Sequence, residues 1–404
     1  MLSRRSFLAS TLRGSTLLAL APTVPGFLAQ TARAAVPQRD GRILVVIELN
    51  GGNDGINTVV PYKDEGYAKH RRLLRLSAGE LIKINDQVGL HPAMSGAGKL
   101  LESGQLAVVQ GVGYPNPNRS HFESMAIWQT ACFDAKNRDG TGWIGRGLDE
   151  GSAPAGGLPA AVYAGGGELP LALQARRAVA SGLTRPEEFV LQLGEARQTL
   201  SAEPPADDLA AFVRRSSLDA YTLADRMTEV LKAPAAVGGA FPPSDLAEHL
   251  HLIARLIKAS IGTRIYYARQ SGYDTHAGQI GTHAGLLREL SDALLAFFDE
   301  LKTAKVAERV VVLAFSEFGR TVRENGSAGT DHGTSGPVFL VGPGVKPGLA
   351  GATPRLLDLD PKHGDLKTLV DFRRVYATVL QDWLGLPANK ALAGDLERLP
   401  LLRS

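Results

Sequence analysis

Apolar residues along this 404-residue chain fall into two kinds of run. Short β-branched stretches closed by glycine or polar residues read as buried strands. They are "GRILVVIELNGG" (41–52), "GQLAVVQGVG" (104–113), "TRIYYARQSG" (263–272), "RVVVLAFSEFG" (309–319) and "GPVFLVGPG" (336–344). Apolar positions at helical spacing occupy 283–304 and 366–386. Strands alternating with helices of that length predict an α/β fold, a mostly parallel central sheet with helices on both faces. In such sheets ligands bind beyond the carboxyl ends of the strands. The polar loops of this chain lie next to its strands.

Two regions break the pattern. From Gly151 to about Pro243 the chain is rich in Ala, Gly and Pro, with helical spacing in 207–233 and no clear strand, so 151–243 is expected to be a mainly helical insertion. At the other break, Arg4-Arg5 precedes Phe7-Leu8, a modest apolar stretch and the triplet Ala32-Arg33-Ala34. That order is expected of a twin-arginine export signal over 1–34 with an A-x-A cleavage site. Gly14, Pro22 and Pro25 interrupt the stretch, which falls short of the ~20 apolar residues of a membrane span. Cleavage near Ala34 would leave 370 residues, released to the periplasm or beyond. The twin-arginine translocase is then a partner during export.

Removing that segment, with four arginines and no acid, takes the formal charge from +3 to −1. A near-neutral chain gives no electrostatic footprint for nucleic acid or anionic lipid. Cys132 is the only cysteine, so no intramolecular disulfide forms. An apolar content of 44% suffices for one large core over 35–404.

The chemistry sits in five loops. "LNGGNDGINT" carries Asn53 and Asp54; "GYPNPNRSHFES" carries Arg119, Ser120 and His121; "SGYDTHAGQIGTH" carries Asp274, His276 and His283; "SEFGRT" carries Glu317 and Arg320; "GTDHGTSGP" carries Asp331 and His332. Carboxylates and imidazoles together suit a divalent metal ion, with zinc, manganese, iron and calcium all open. Asp274-x-His276 and Asp331-His332 have spacings compatible with one ion. Each loop also has a plainer reading. Asp274 is equally a helix cap, His276 and His283 equally surface histidines, and "GGNDG" equally a tight turn. Ser120 with Glu123 makes a capping box, although a hydroxyl at a helix N-terminus is also where an activated nucleophile sits. An imidazole flanked by glycine adds nothing to a cap, so 329–335 is read as a metal loop. Gly329 and Gly333 let it bend closely, and Thr334 and Ser335 are expected to fix the His332 ring.

"LNGGNDGINTVVPY", "NPNRSHFESMAIWQT", "GYDTHAGQ", "SEFGRT" and "GTDHGTSGPVFLVG" together resemble the bacterial family called domain of unknown function 1501. The family looks like a branch of the alkaline-phosphatase-like superfamily, with sulfatases and cofactor-independent phosphoglycerate mutases. The resemblance implies an α/β sandwich, a two-metal centre and hydrolysis of small phosphate or sulfate esters through a metal-bound Ser, Thr or formylglycine. Position by position it makes Asp54 a ligand after the first strand and Ser120 the nucleophile. Asp274, His276 and His332 become ligands of one metal, and Glu317 falls where a second metal has its aspartate. Asp331 ligates or orients His332, His121 lies in the catalytic loop, and Arg119 or Arg320 offsets charge on the transferred group. Phe318 stands where many superfamily enzymes have a histidine. That departure keeps open an exported binding or assembly protein with a degenerate metal site.

Overall fold

The computed structural model describes residues 41–151, 159–183 and 241–403. The 1–34 signal and the 207–233 helical pattern lie outside them. The central sheet has nine strands among the described residues: β1 (Ile43–Asn50), β2 (Leu106–Gly113), β3 (Ala161–Ala164), β4 (Ala180–Leu183), β5 (Ile265–Ser271), β6 (Val310–Phe315), β7 (Gly336–Val341), β8 (Gly348–Ala350) and β9 (Val370–Asp371). Their order is β8-β2-β7-β6-β1-β5-β3-β4, with β9 also paired to β2. All pairings are parallel except those of β7, which runs antiparallel to β2 and β6.

Helices cover both faces. On one lie α1 (Ser95–Glu102), α4 (Asp245–Lys258) and α5 (Gln279–Thr303); on the other lie α2 (His121–Thr130), α3 (Trp143–Glu150) and α6 (Phe372–Thr378). β1 shows why its sequence lacks polar alternation. Ile43, Val45, Ile47 and Leu49 enter one core and Leu44 and Val46 the other, so both sides are buried. Glu48 is the exception on that strand. Its buried carboxylate accepts from Arg269 Nε, Tyr267 Oη and Gln129 Nε2, each at 2.6 Å.

Three expectations need correction. The 151–243 stretch is not wholly a helical insertion, because β3 and β4 extend the sheet beyond β5. Their runs are only four residues long and Ala/Gly-rich, too short for a periodicity to show. The 366–386 segment does not begin as a helix. Val370 and Asp371 pair with β2, and the Asp371 side chain then accepts from Arg373 N to start α6. The strand at 336–344 ends at Val341. Among the described residues no helix is long and apolar enough to cross a membrane.

This topology sends five loops to one edge. β1, β2, β5 and β6 all end there, and antiparallel β7 begins there. Beneath that edge Trp128 stacks between Phe315 and Phe372, with ring centroids 5.1 and 4.4 Å away. Trp128→Ala opens a large cavity in this face and is expected to cost about 3–5 kcal/mol. Urea unfolding followed by circular dichroism checks it, and Trp128→Phe should recover most of the loss.

Candidate functional site

The loops are joined through Arg320, whose side chain is fully buried. Nε donates to Gly52 O, Nη1 to Thr330 O, and Nη2 to Gly51 O, Tyr273 O and Asp274 Oδ1. One guanidinium thus binds the ends of β1 and β5 to the segment before β7. The backbone of Arg320 also forms an antiparallel bridge with His332. Gly333 N donates to Gly319 O at 2.8 Å, an approach so close that a Cβ on Gly333 would lie 2.5 Å from the Arg320 carbonyl carbon. On the other side Gly52, at φ +78°, presses against Phe318, where a Cβ would meet the ring at 2.4 Å. The "GGNDG" turn therefore needs glycine for conformation and for clearance.

Three imidazoles meet around one oxygen, Asp274 Oδ1. His276 Nε2 lies 2.9 Å from it, His332 Nε2 3.1 Å and His121 Nε2 3.4 Å. The Nε2 atoms of His276 and His332 are themselves 2.9 Å apart. Each ring is held from behind by its other nitrogen. Nδ1 of His332 donates to Arg119 O at 2.7 Å, that of His276 faces Asp331 Oδ1 at 3.1 Å, and that of His121 faces Glu317 Oε1 at 2.8 Å. A carbonyl or carboxylate accepts only, so these partners hold a ring proton on Nδ1, and in the neutral rings each Nε2 then keeps an inward-facing lone pair. His121 Nε2 is buried without a hydrogen-bond partner. Burial raises the Asp274 pKa, but the hydrogen bond and charge of Arg320, with the imidazoles beside it, outweigh this and bring it to about 2. Asp331 is also lowered, by Asn325 and His276. The His121 pKa is raised, chiefly by its hydrogen bond to Glu317.

Asp54 and Glu317, expected as ligands, are turned elsewhere. Asp54 is fully buried, its oxygens 2.6 and 3.0 Å from the Arg71 guanidinium, and Gln279 Nε2 also reaches it. Burial pushes the Asp54 pKa up, and Arg71 more than reverses this, to about 2. Glu317 accepts from the N–H groups of Gly51 and Gly52 and from Ser316 Oγ, besides facing His121. Ser120 is the exposed N-cap residue of α2, but its hydroxyl makes no capping bond, and Glu123 pairs with Arg138 rather than completing a capping box. Arg119 binds Asp365 at 2.6 Å and stays partly exposed, whereas every nitrogen of Arg320 is engaged. Thr334 and Ser335 do not fix the His332 ring; they donate to Leu366 O and Lys367 O. His283 is buried on α5 against Asn53, and burial drops its pKa to about 4. Arg71 and Asp365 went unnoticed in the sequence, since nothing in "KHRRLLRL" separates Arg71 from Arg72 or Arg75.

The sequence profile of the family described as "Protein of unknown function (DUF1501)" matches residues 42–391. The chain belongs to that family. No curated protein matches its sequence. Among solved structures it is similar to the lipoteichoic acid synthase LtaP from Listeria monocytogenes, with 12% identity, 82% of this chain and 75% of that one covered, and a TM-score of 0.37. It is also similar to the PsFucS1 sulfatase from Pseudoalteromonas sp., with 11% identity, coverage of 93% and 76%, and a TM-score of 0.36. The phosphonate monoester hydrolase SpPMH from Silicibacter pomeroyi gives 10% identity, coverage of 89% and 75%, and a TM-score of 0.30. Likeness this loose carries no chemical argument; the chemistry has to come from this family member's own side chains.

One such side-chain pair sets an acid limit on stability. The Asp54 carboxyl has a folded pKa near 2 against 3.8 unperturbed, so its stabilisation is complete above pH 4 and fades as pH falls towards 2. Arg71→Met strands that buried carboxylate and is expected to cost about 3–5 kcal/mol at pH 7. The deficit against wild type should shrink below pH 4, as the wild type loses its own advantage. Unfolding midpoints from pH 2.5 to 7 check both the size and the sign.

Proposed function

We propose that this DUF1501 protein is an exported hydrolase of phosphate or sulfate esters that works with a divalent metal ion held by Asp274, His276 and His332. The convergence of inward-facing Nε2 atoms on Asp274 Oδ1 carries the reading. Neutral rings set their lone pairs about 3 Å from a carboxylate, a repulsion that a cation between them removes. A proton shared by His276 and His332 relieves one contact and leaves the others. Ring nitrogens backed by a carbonyl and a carboxylate are also the usual arrangement of metal-bound histidines. Asp274 and His276 remain 48% and 44% exposed, so the centre is open to substrate on one side, as a catalytic site requires. A divalent ion in this place would supply Lewis acidity to an ester oxygen.

The chain's own groups fit the rest of the task. Ser120 is the candidate nucleophile, a hydroxyl free of capping duty at the start of α2, where the helix dipole favours an anion. Arg119 holds His332 through its carbonyl and keeps guanidinium donors for the transferred group. Next to these loops opens a cleft of about 500 Å³, lined by Asn116, Pro117, Thr334, Lys362 and His363 among others, which is where the rest of the ester would lie. Phe318 supports a second reading, an exported binding or assembly protein without turnover. Its buried ring packs on both His121 and His332, in the place of a further ligand.

Elemental analysis of the purified protein with an aryl phosphate and aryl sulfate screen separates the two readings. Ser120→Ala should retain metal and lose at least about 100-fold in turnover, in line with loss of an attacking group. His332→Ala should lose metal and the metal-dependent rise in Tm. Metal without turnover on any ester supports the binding protein; neither metal nor turnover removes the hydrolase reading.

Export rests on Arg4-Arg5 ahead of Phe7-Leu8. Replacing both arginines by lysine should leave the protein in the cytoplasmic fraction. Its mature form reaching the periplasm of a strain lacking the twin-arginine translocase would rule the route out.

A further inference from the structure

The acidic and histidine side chains at this edge do not divide into two ligand sets. Donors for a second ion are already spent. Both Asp54 oxygens are bound to Arg71, and the two Glu317 oxygens share four hydrogen-bonding partners within the protein. Phe318 occupies the neighbouring space as an apolar ring. His121, in contrast, has a nitrogen with no task. Its Nδ1 is fixed by Glu317, its ring packs edge-on to His332 at 4.3 Å, and its Nε2 is buried and unpartnered, 3.4 Å from Asp274 Oδ1. The same arrangement, Nδ1 on an acceptor and Nε2 inward, is found in His276 and His332.

We infer that His121 is a third imidazole ligand of a single metal ion, beside His276, His332 and Asp274, and that Glu317 is its positioning residue rather than a ligand of a second ion. This rests on the metal reading above. The chemistry of the set follows from the rings. Three neutral imidazoles and one carboxylate leave a divalent ion with net positive charge, and they suit zinc, cobalt or iron better than the oxygen-seeking calcium or magnesium. Glu317 works through His121. Held by two backbone N–H groups and the Ser316 hydroxyl, it cannot swing to follow an ion, but it fixes the ring tautomer and plane.

The test is titration of the chelator-stripped full protein with Co²⁺, following the visible d–d bands and the stoichiometry. Wild type should bind one Co²⁺ per chain. His121→Phe, which keeps an aromatic ring against Phe318 and His332, should fold with an unchanged metal-free Tm, bind Co²⁺ at least about 10-fold more weakly and show altered bands. His121→Ala should do the same, and Glu317→Gln should weaken binding by about 10- to 100-fold and also shift the bands, a change that a merely structural residue would not cause. Wild-type affinity and spectrum in both folded His121 variants would overturn the inference, as would two Co²⁺ per wild-type chain. Wild type that binds no Co²⁺, Zn²⁺ or Fe²⁺ would instead sink the metal reading, and this inference with it.

Discussion

A buried guanidinium holds the functional edge together. Arg320 lies in the loop after β6 and reaches carbonyl oxygens on the loop after β1, the loop after β5 and the segment before β7, together with the Asp274 carboxylate. Burying an arginine is tolerable only when its donors are satisfied and a counter-charge is near. The loops meet both conditions at once, so each must hold its place for the others to be stable. The carboxylate that balances the charge is also the oxygen on which the three imidazoles converge. Scaffold and site therefore share one residue, Asp274.

Four acids that look alike along the chain take four roles from their surroundings. Asp54 is sealed against Arg71 deep in the loop layer. Glu317 is equally buried, but its partners are backbone N–H groups and an imidazole, so it shapes a turn and aims a ring. Asp331 is largely exposed and orients His276 from outside. Asp274 carries the oxygen on which the three imidazoles converge. Burial and counter-charge, rather than residue type, separate these roles.

The strands beneath were legible because burial on both faces of a parallel sheet writes itself into the sequence as unbroken β-branched runs. β1, β2, β5, β6 and β7 all occur inside the segments so marked. β3 and β4 escaped because four residues each, AVYA and ASGL, are too few to set a period; β5 pairs with β3, and β3 in turn with β4. The start of α6 was misplaced for a similar reason. Leu366 to Val370 carries helical spacing, yet β2 offers Val370 and Asp371 hydrogen bonds that the helix would forgo.

The site divides along the same line. Local sequence was enough to say that carboxylates, imidazoles and a hydroxyl gather where strands end, since glycine-flanked polar residues after an apolar run have few other places to go. It also determined where the chain bends tightly, at Gly51, Gly52 and Gly333. Which acid faces which cation was decided by tertiary structure alone. Arg71 meets Asp54 across 17 residues, but Glu317 meets His121 across 196, and no local pattern encodes a partner that distant. His121 changed most between the two views. In the sequence it is one residue of a catalytic loop, and in the fold it is an imidazole fixed at one nitrogen and unpaired at the other.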